Sequence, residues 1–161
     1  MRRRQLIQRR GTRDWYFPII IRTLFIHQNL NLFRTSMKVL VVDDEKDVEP
    51  LFRMRFRREI AKGDIELIFA FSGEEALKQL MDHGKTDVVL VLSDINMPGM
   101  TGLELLRRIK EDPPPVPVCM MTAYENDEYR EKAAALACDG YVSKPIDFAS
   151  LKEKIVSMKS A

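Results

Sequence analysis

The sequence predicts an α/β domain made of five consecutive βα units, a doubly wound parallel sheet with helices on both faces. Three observations predict it. Short apolar runs rich in β-branched residues recur from Met37 onward, amphipathic stretches of helical period separate them, and each run stops on polar residues. A near-continuous apolar run, as opposed to an alternating one, is the pattern of a strand covered on both faces.

Taken in order, "KVLVV" ends at Asp43 and Asp44, and "IELIFAF" ends at Ser72. "VVLVL" ends at Ser93 and Asp94, "VPVCMM" at Thr122, and "GYV" at Ser143 and Lys144. In the first helix Val48, Leu51, Phe52 and Phe56 are expected to share the inner face, with Pro50 tolerated in the first turn and Arg53, Arg57 and Arg58 outside. Ala76, Leu77 and Leu80 form the second stripe, Leu105, Leu106 and Ile109 the third, and Phe148, Leu151, Ile155 and Met158 the fifth. The fourth, around Ala133 to Ala137, has the least apolar mass. Ser72 with Glu75 and Thr101 with Glu104 fit the capping box, Asp147 can cap the last helix, and "DPPPVP" at 112 to 117 ends the third.

The 161 residues, 45% apolar and 31% charged, describe one soluble globular domain with a basic extension. Residues 1–36 carry eight arginines and one acid, Asp14, for +7, whereas residues 37–161 carry 18 basic against 23 acidic residues, for −5. The apolar stretch from Trp15 to Ile26 is broken by Pro18 and Arg22, too short and charged to span a membrane. No small-residue cleavage site follows it, which disfavours a signal peptide. Residues 1–36 are therefore expected to be a poorly ordered extension, or sequence upstream of a start at Met37, with the folded domain at 37–161. Cys119 and Cys138 lack the spacing of a zinc site and are expected to be reduced packing residues, which favours a cytoplasmic location.

In an open parallel sheet every strand delivers its C-terminal end to one edge, where ligands bind. Asp43, Asp44, Asp94, Thr122 and Lys144 should therefore converge. Two carboxylates about 5 Å apart repel by about 3 kcal/mol at an effective dielectric near 20, so cations belong among them. Lys144 supplies one, and an all-oxygen site suits Mg²⁺. A carboxylate can also act as a nucleophile, and phosphoryl transfer asks chiefly for positioning and charge neutralisation, which a hydroxyl, an ammonium and a divalent ion provide. Asp94 is the natural acceptor.

Together "VLVVDDE", "SDINMPGMTG", "MMTAY" and "GYVSKPID" resemble, in order and spacing, the signatures of the response-regulator receiver domain of two-component signalling, chemotaxis receivers included. The resemblance covers residues 37–161 and implies a flavodoxin-like strand order 2-1-3-4-5. It implies that Asp94 is the phosphoacceptor and that Mg²⁺ is bound by Asp44, Asp94 and the Asn96 backbone carbonyl, with Asp43 acting largely through water. Thr122, the Ala123 amide and Lys144 would hold the phosphoryl group, the Lys144–Pro145 peptide would be cis, and Thr122 and Tyr141 would act as the switch pair. Asn96 and Tyr124 lie where the family varies its reset rate. The implied partners are a sensor histidine kinase or histidine phosphotransfer protein and a downstream protein target, with a phosphorylation-dependent homodimer left open. His27 and His83 are isolated, so the phosphate is expected to come from another molecule.

Simpler readings stand beside these. Asp43 and Asp44 could cap the helix that begins near Asp47, Thr122 could be a plain cap, and Tyr141 an ordinary aromatic. The run from Asp87 to Asp94 is slightly long for the family, which puts register in question. No DNA-binding or catalytic output domain is expected after Ala161, so the chain is read as a signalling receiver acting through protein contacts or a relay, catalysing only its own phosphorylation and dephosphorylation. Two alternatives are a Mg²⁺-dependent small-molecule phosphohydrolase and a nucleic-acid-binding regulator using the basic arm.

Overall fold

The computed structural model describes residues 36–114, 116–123 and 127–159; the basic segment up to Thr35 and Tyr124 lie outside them. The strands are β1 (Met37–Val42), β2 (Ile65–Ala70), β3 (Val88–Asp94), β4 (Val118–Thr122) and β5 (Gly140–Ser143). The helices are α1 (Val48–Arg55, continued after Phe56 by Arg57–Ala61), α2 (Gly73–His83), α3 (Gly102–Glu111), α4 (Asp127–Ala135) and α5 (Phe148–Lys159). One parallel sheet runs β2-β1-β3-β4-β5, the expected order.

Each strand splits its side chains between two cores. Leu40, Val42, Ile68, Ala70, Val91, Val118 and Met120 pack with residues of α2, α3 and α4. Val39, Val41, Ile65, Leu67, Leu92, Cys119 and Met121 pack with residues of α1 and α5 on the other face. This period-2 division of continuous apolar runs is why they read as strands buried on both faces.

The extra length before Asp94 has a local solution. A 3₁₀ turn, Lys85–Asp87, precedes β3, and the β1–β3 register shifts between Lys38, opposite Val88, and Val39, opposite Leu90. Val89 is the residue left over, so Val89 and Leu90 face the α1/α5 core in succession, while Val88 and Val91 face the other. A bulge inserts one residue without moving the pairs beyond it. The register from Val39 to the site end of the sheet is thereby restored.

α1 is held by aromatics. Phe52 and Phe56 stack at 6.0 Å, and Phe148 of α5 meets both edge-on at 5.1 and 6.1 Å. Leu51 departs from the expected inner stripe and is 37% exposed. Phe52 and Phe56, one turn apart, take the inner face and are fully buried, which leaves Leu51 at the edge of the stripe. The continuation ends at Gly63, whose φ of +70° is the left-handed conformation glycine adopts without penalty; Gly63 N donates to Ile60 O and Asp64 N to Glu59 O. α2, α3 and α5 follow their predicted stripes, with Ala76, Leu80, Leu105, Leu106, Ile109, Leu151 and Ile155 buried. α4 is the weakest, with Ala133 as its buried side chain among those described.

The caps explain the helix starts. Thr101 and Glu104 form a reciprocal capping box at α3. At α2 the Ser72 hydroxyl accepts from Glu75 N, but Glu75 returns to Phe71 N, at 2.8 Å, in place of Ser72 N. Asp147 caps α5, accepting from Ala149 N at 3.0 Å and from the Ser150 hydroxyl at 2.6 Å, bonds that hold its carboxyl below the usual range. α3 ends at Glu111, ahead of the prolines. Among the described residues, no helix is long and apolar enough to cross a membrane.

Cys119 and Cys138 are free thiols facing opposite cores. Burial pushes the Cys119 thiol up to about 11, against the weaker opposing charge of Lys154.

Two measurements follow. Thr101→Ala removes an acceptor from the α3 box and should lower unfolding free energy by about 1 kcal/mol in urea. Native Cys119 should stay silent to a chromogenic disulfide reagent at pH 8 and react once guanidinium unfolds the chain. Because its folded-state pKa is raised, the thiol's contribution to stability is complete below the ordinary thiol range and is lost as pH rises towards about 11.

Candidate functional site

The sheet register dictates which polar residues meet. Val42 pairs with Ser93, so Asp43 stands level with Asp94 on the neighbouring strand. Asp94 pairs with Met121 and Thr122 with Ser143, which puts Thr122 one step beyond Asp94 and Lys144 one step beyond Thr122. The main chain closes the corner, Lys144 N donating to Thr122 O at 2.7 Å. Residues separated by 101 positions are thus brought into contact by strand order alone.

At the centre is one ammonium shared by two carboxylates. Lys144 Nζ donates to Asp43 Oδ2 at 2.8 Å and lies 2.6 Å from Asp94 Oδ1. Asp43 is 2% exposed, the Asp94 side chain 13% and the Lys144 side chain 26%. Burial by itself would lower the Lys144 pKa, and it is the largest single influence. Hydrogen bonds to Asp43 and Asp94, with their charges, outweigh it and raise the pKa above the usual lysine range. The ammonium is therefore charged at neutral pH.

The remaining carboxylate oxygens are held by main-chain amides. Glu45 N donates to Asp43 Oδ1 at 3.0 Å and Asn96 N to Asp94 Oδ2 at 2.8 Å. Asp43 is thus oriented into the site, and its backbone acceptor bond lies ahead of α1; Asp47 is the N-cap position and makes no side-chain cap bond. Neither observation supports a plain capping role for Asp43. Asp44 and Asn96 are exposed at the rim, Ala123 is exposed after β4, and Thr122 is half-buried. Tyr141 is partly buried against the α2/α3/α4 core. The Lys144–Pro145 peptide is cis.

Two carboxylates share one ammonium, with Asp44 exposed at the rim, so the site carries excess negative charge and offers carboxylate and hydroxyl oxygens, chemistry that suits a hard divalent cation. Among the described residues, no three acidic, histidine or cysteine side chains are gathered closely enough to hold a metal, and Lys144 occupies the gap between Asp43 and Asp94. The donor set fits Mg²⁺ in kind.

The family model for the response regulator receiver domain matches residues 39–156. The chain belongs to this family. The receiver is 32% identical over 126 residues to Chemotaxis protein CheY-3 of Vibrio cholerae, covering 77% of this chain and 92% of that protein. It is 38% identical over 122 residues to the positive alginate biosynthesis regulatory protein of Pseudomonas aeruginosa, covering 74% of this chain and 46% of that protein. The solved structure of chemotaxis response regulator CheY4 of Vibrio cholerae matches with a TM-score of 0.62 at 26% identity, over 77% of this chain and 99% of that one. A receiver domain protein from Clostridium thermocellum, at 24% identity and a TM-score of 0.67 over 76% and 93% of the two chains, shares the fold. Receivers of this family are signalling domains of two-component systems, generally dependent on Mg²⁺.

Sequence reasoning missed two contacts on Asp94. The buried Ser93 hydroxyl donates to Asp94 O at 2.9 Å, and Gly102, at the start of α3, lies where any side chain would run into the same carbonyl. No motif spacing announces a hydroxyl used on its neighbour's backbone.

Lys144→Met should cost about 2–4 kcal/mol in urea at pH 7, because it leaves the Asp43 charge buried without its cation. Adding Asp43→Asn should recover part of that loss; a double variant no more stable than Lys144→Met would contradict the account.

Proposed function

We propose that this receiver is a phosphorylation-activated switch that takes a phosphoryl group on Asp94 from a phosphohistidine of a sensor kinase or phosphotransfer protein. The observation that carries the reading is the Lys144 ammonium bridging the buried Asp43 and the more accessible Asp94 at the C-terminal edge of the sheet.

Transfer forms a bond from an Asp94 carboxylate oxygen to phosphorus and breaks the phosphorus–nitrogen bond of the donor. The imidazole leaves with that electron pair and takes up a proton. Asp43, Asp44, Asp94 and the Asn96 carbonyl would hold Mg²⁺, which when bound neutralises charge on the phosphoryl oxygens. Lys144, already charged and 2.6 Å from Asp94, supplies a second positive charge, and the Thr122 hydroxyl and Ala123 amide supply hydrogen bonds to the same oxygens. The ammonium that now ties Asp43 to Asp94 then has new oxygens to bind, and Thr122 and Tyr141 readjust with it. That local change of charge biases the surface around α4, β5 and α5, which a downstream protein or a second copy of the chain reads. Hydrolysis returns phosphate and the free carboxylate. The reading places the protein in the cytoplasm.

Incubation with Mg²⁺ and acetyl phosphate should give a single phosphoryl adduct by intact mass, absent in Asp94→Asn. An unmodified parent, or an undiminished adduct on the variant, would contradict the proposal. Turnover of many equivalents of a phosphate ester would support a phosphohydrolase.

A further inference from the structure

We infer that Gly102 and Ser93 are positioning residues that clamp the main-chain carbonyl of Asp94 and so set the direction of its carboxylate. The role rests on Asp94 being the phosphoacceptor and deepens that reading.

Gly102 is the first residue of α3 and is buried. A Cβ there would fall inside contact distance of Asp94 O, 3.0 Å from the Asp94 carbonyl carbon and 2.8 Å from Met120 Cε. Its φ is not in the left-handed region, so the requirement for glycine is one of space and an alanine is conformationally acceptable. The Met120 methyl is the end of a flexible chain and can move; a backbone carbonyl at the end of a central strand cannot. The Ser93 hydroxyl, fully buried, donates to the same oxygen at 2.9 Å.

The loop between Asp94 and α3 reinforces the clamp. Gly102 N donates to Ile95 O at 2.9 Å, and Ile95, Met97 and Met100 are all buried. With this peptide plane held on one side and the β3 pairing of Ser93 and Asp94 on the other, the Cα–Cβ bond of Asp94 is directed from both ends. The carboxylate oxygens then fall between Lys144 Nζ and Asn96 N, at 2.6 and 2.8 Å. A displacement of about 1 Å at a reacting group can cost on the order of 10²-fold in rate. Neither residue touches the transferred group; each acts through Asp94.

The test uses the full chain, Mg²⁺ and acetyl phosphate, with adduct formation followed by intact mass over a range of donor concentrations. Gly102→Ala should lower the maximal rate by at least about tenfold, while half-saturating donor stays within about twofold. Ser93→Ala should lower the maximal rate by about threefold or more, and Ser93→Thr, which keeps the hydroxyl, should restore it. Gly102→Ala with Met120→Leu, which removes the methyl contact, should stay as slow as Gly102→Ala alone. Leu80→Ala, a destabilising core change in α2, should keep the parent rate. Parent-like rates in Gly102→Ala and Ser93→Ala, rescue by Met120→Leu, or equal slowing by Leu80→Ala would overturn the role. If Gly102→Ala does not fold, the Ser93 pair decides, and a parent-like Ser93→Ala overturns it. A parent chain that takes no phosphoryl group is a distinct result, which overturns the receiver reading and this role together.

Discussion

The arrangement depends on one ammonium. Lys144 lies within 2.8 Å of Asp43 and 2.6 Å of Asp94, and without it the buried Asp43 would be a charge in a nearly dry position. Sheet geometry makes the contact possible, since the two carboxylates end adjacent central strands and the lysine ends the edge strand two places away. The sequence tolerates two acids at this edge because the fifth strand returns a cation to them.

This explains why the most polar residues of the domain follow its most apolar segments. β1 and β3 lie between other strands and are covered by both cores, so apolar packing alone is enough to fix their direction and depth. A carboxylate placed one step past such a strand is held to within the rigidity of the sheet. The bulge at Val89 serves the same end, taking up an extra residue far from the site so that Val42 still pairs with Ser93 and Asp43 stays level with Asp94.

The fold was legible because its signals are periodic and local. Apolar runs predicted the strands, stripes predicted α2, α3 and α5, and Thr101 with Glu104 predicted its cap. The convergence of Asp43, Asp94 and Lys144 was legible too, because strand ends in a parallel sheet share an edge. What escaped were choices settled by packing between elements. Phe52 and Phe56 take the inner face and leave Leu51 at its edge, Glu75 accepts from Phe71 N and not from its own cap residue, and Ser93 and Gly102 meet a backbone carbonyl. None of these leaves a pattern in residue type or spacing, since each depends on which atoms of a distant element arrive alongside.

Burial is unevenly distributed in a way that suits a charge-driven response. The Asp94 end of β3 is enclosed, with Ser93 fully buried and Gly102 close against Asp94 O, so the Asp94 backbone has little freedom to move. β5 has no fully buried residue, and α4 has little apolar mass to hold it. Lys144 joins these two regions, fixed at its amine to the rigid carboxylates and at its backbone to the lightly packed edge strand. On the proposed reading, a change in what the amine binds would be resisted at the carboxylates and passed to β5, because displacement follows the side with fewer buried contacts.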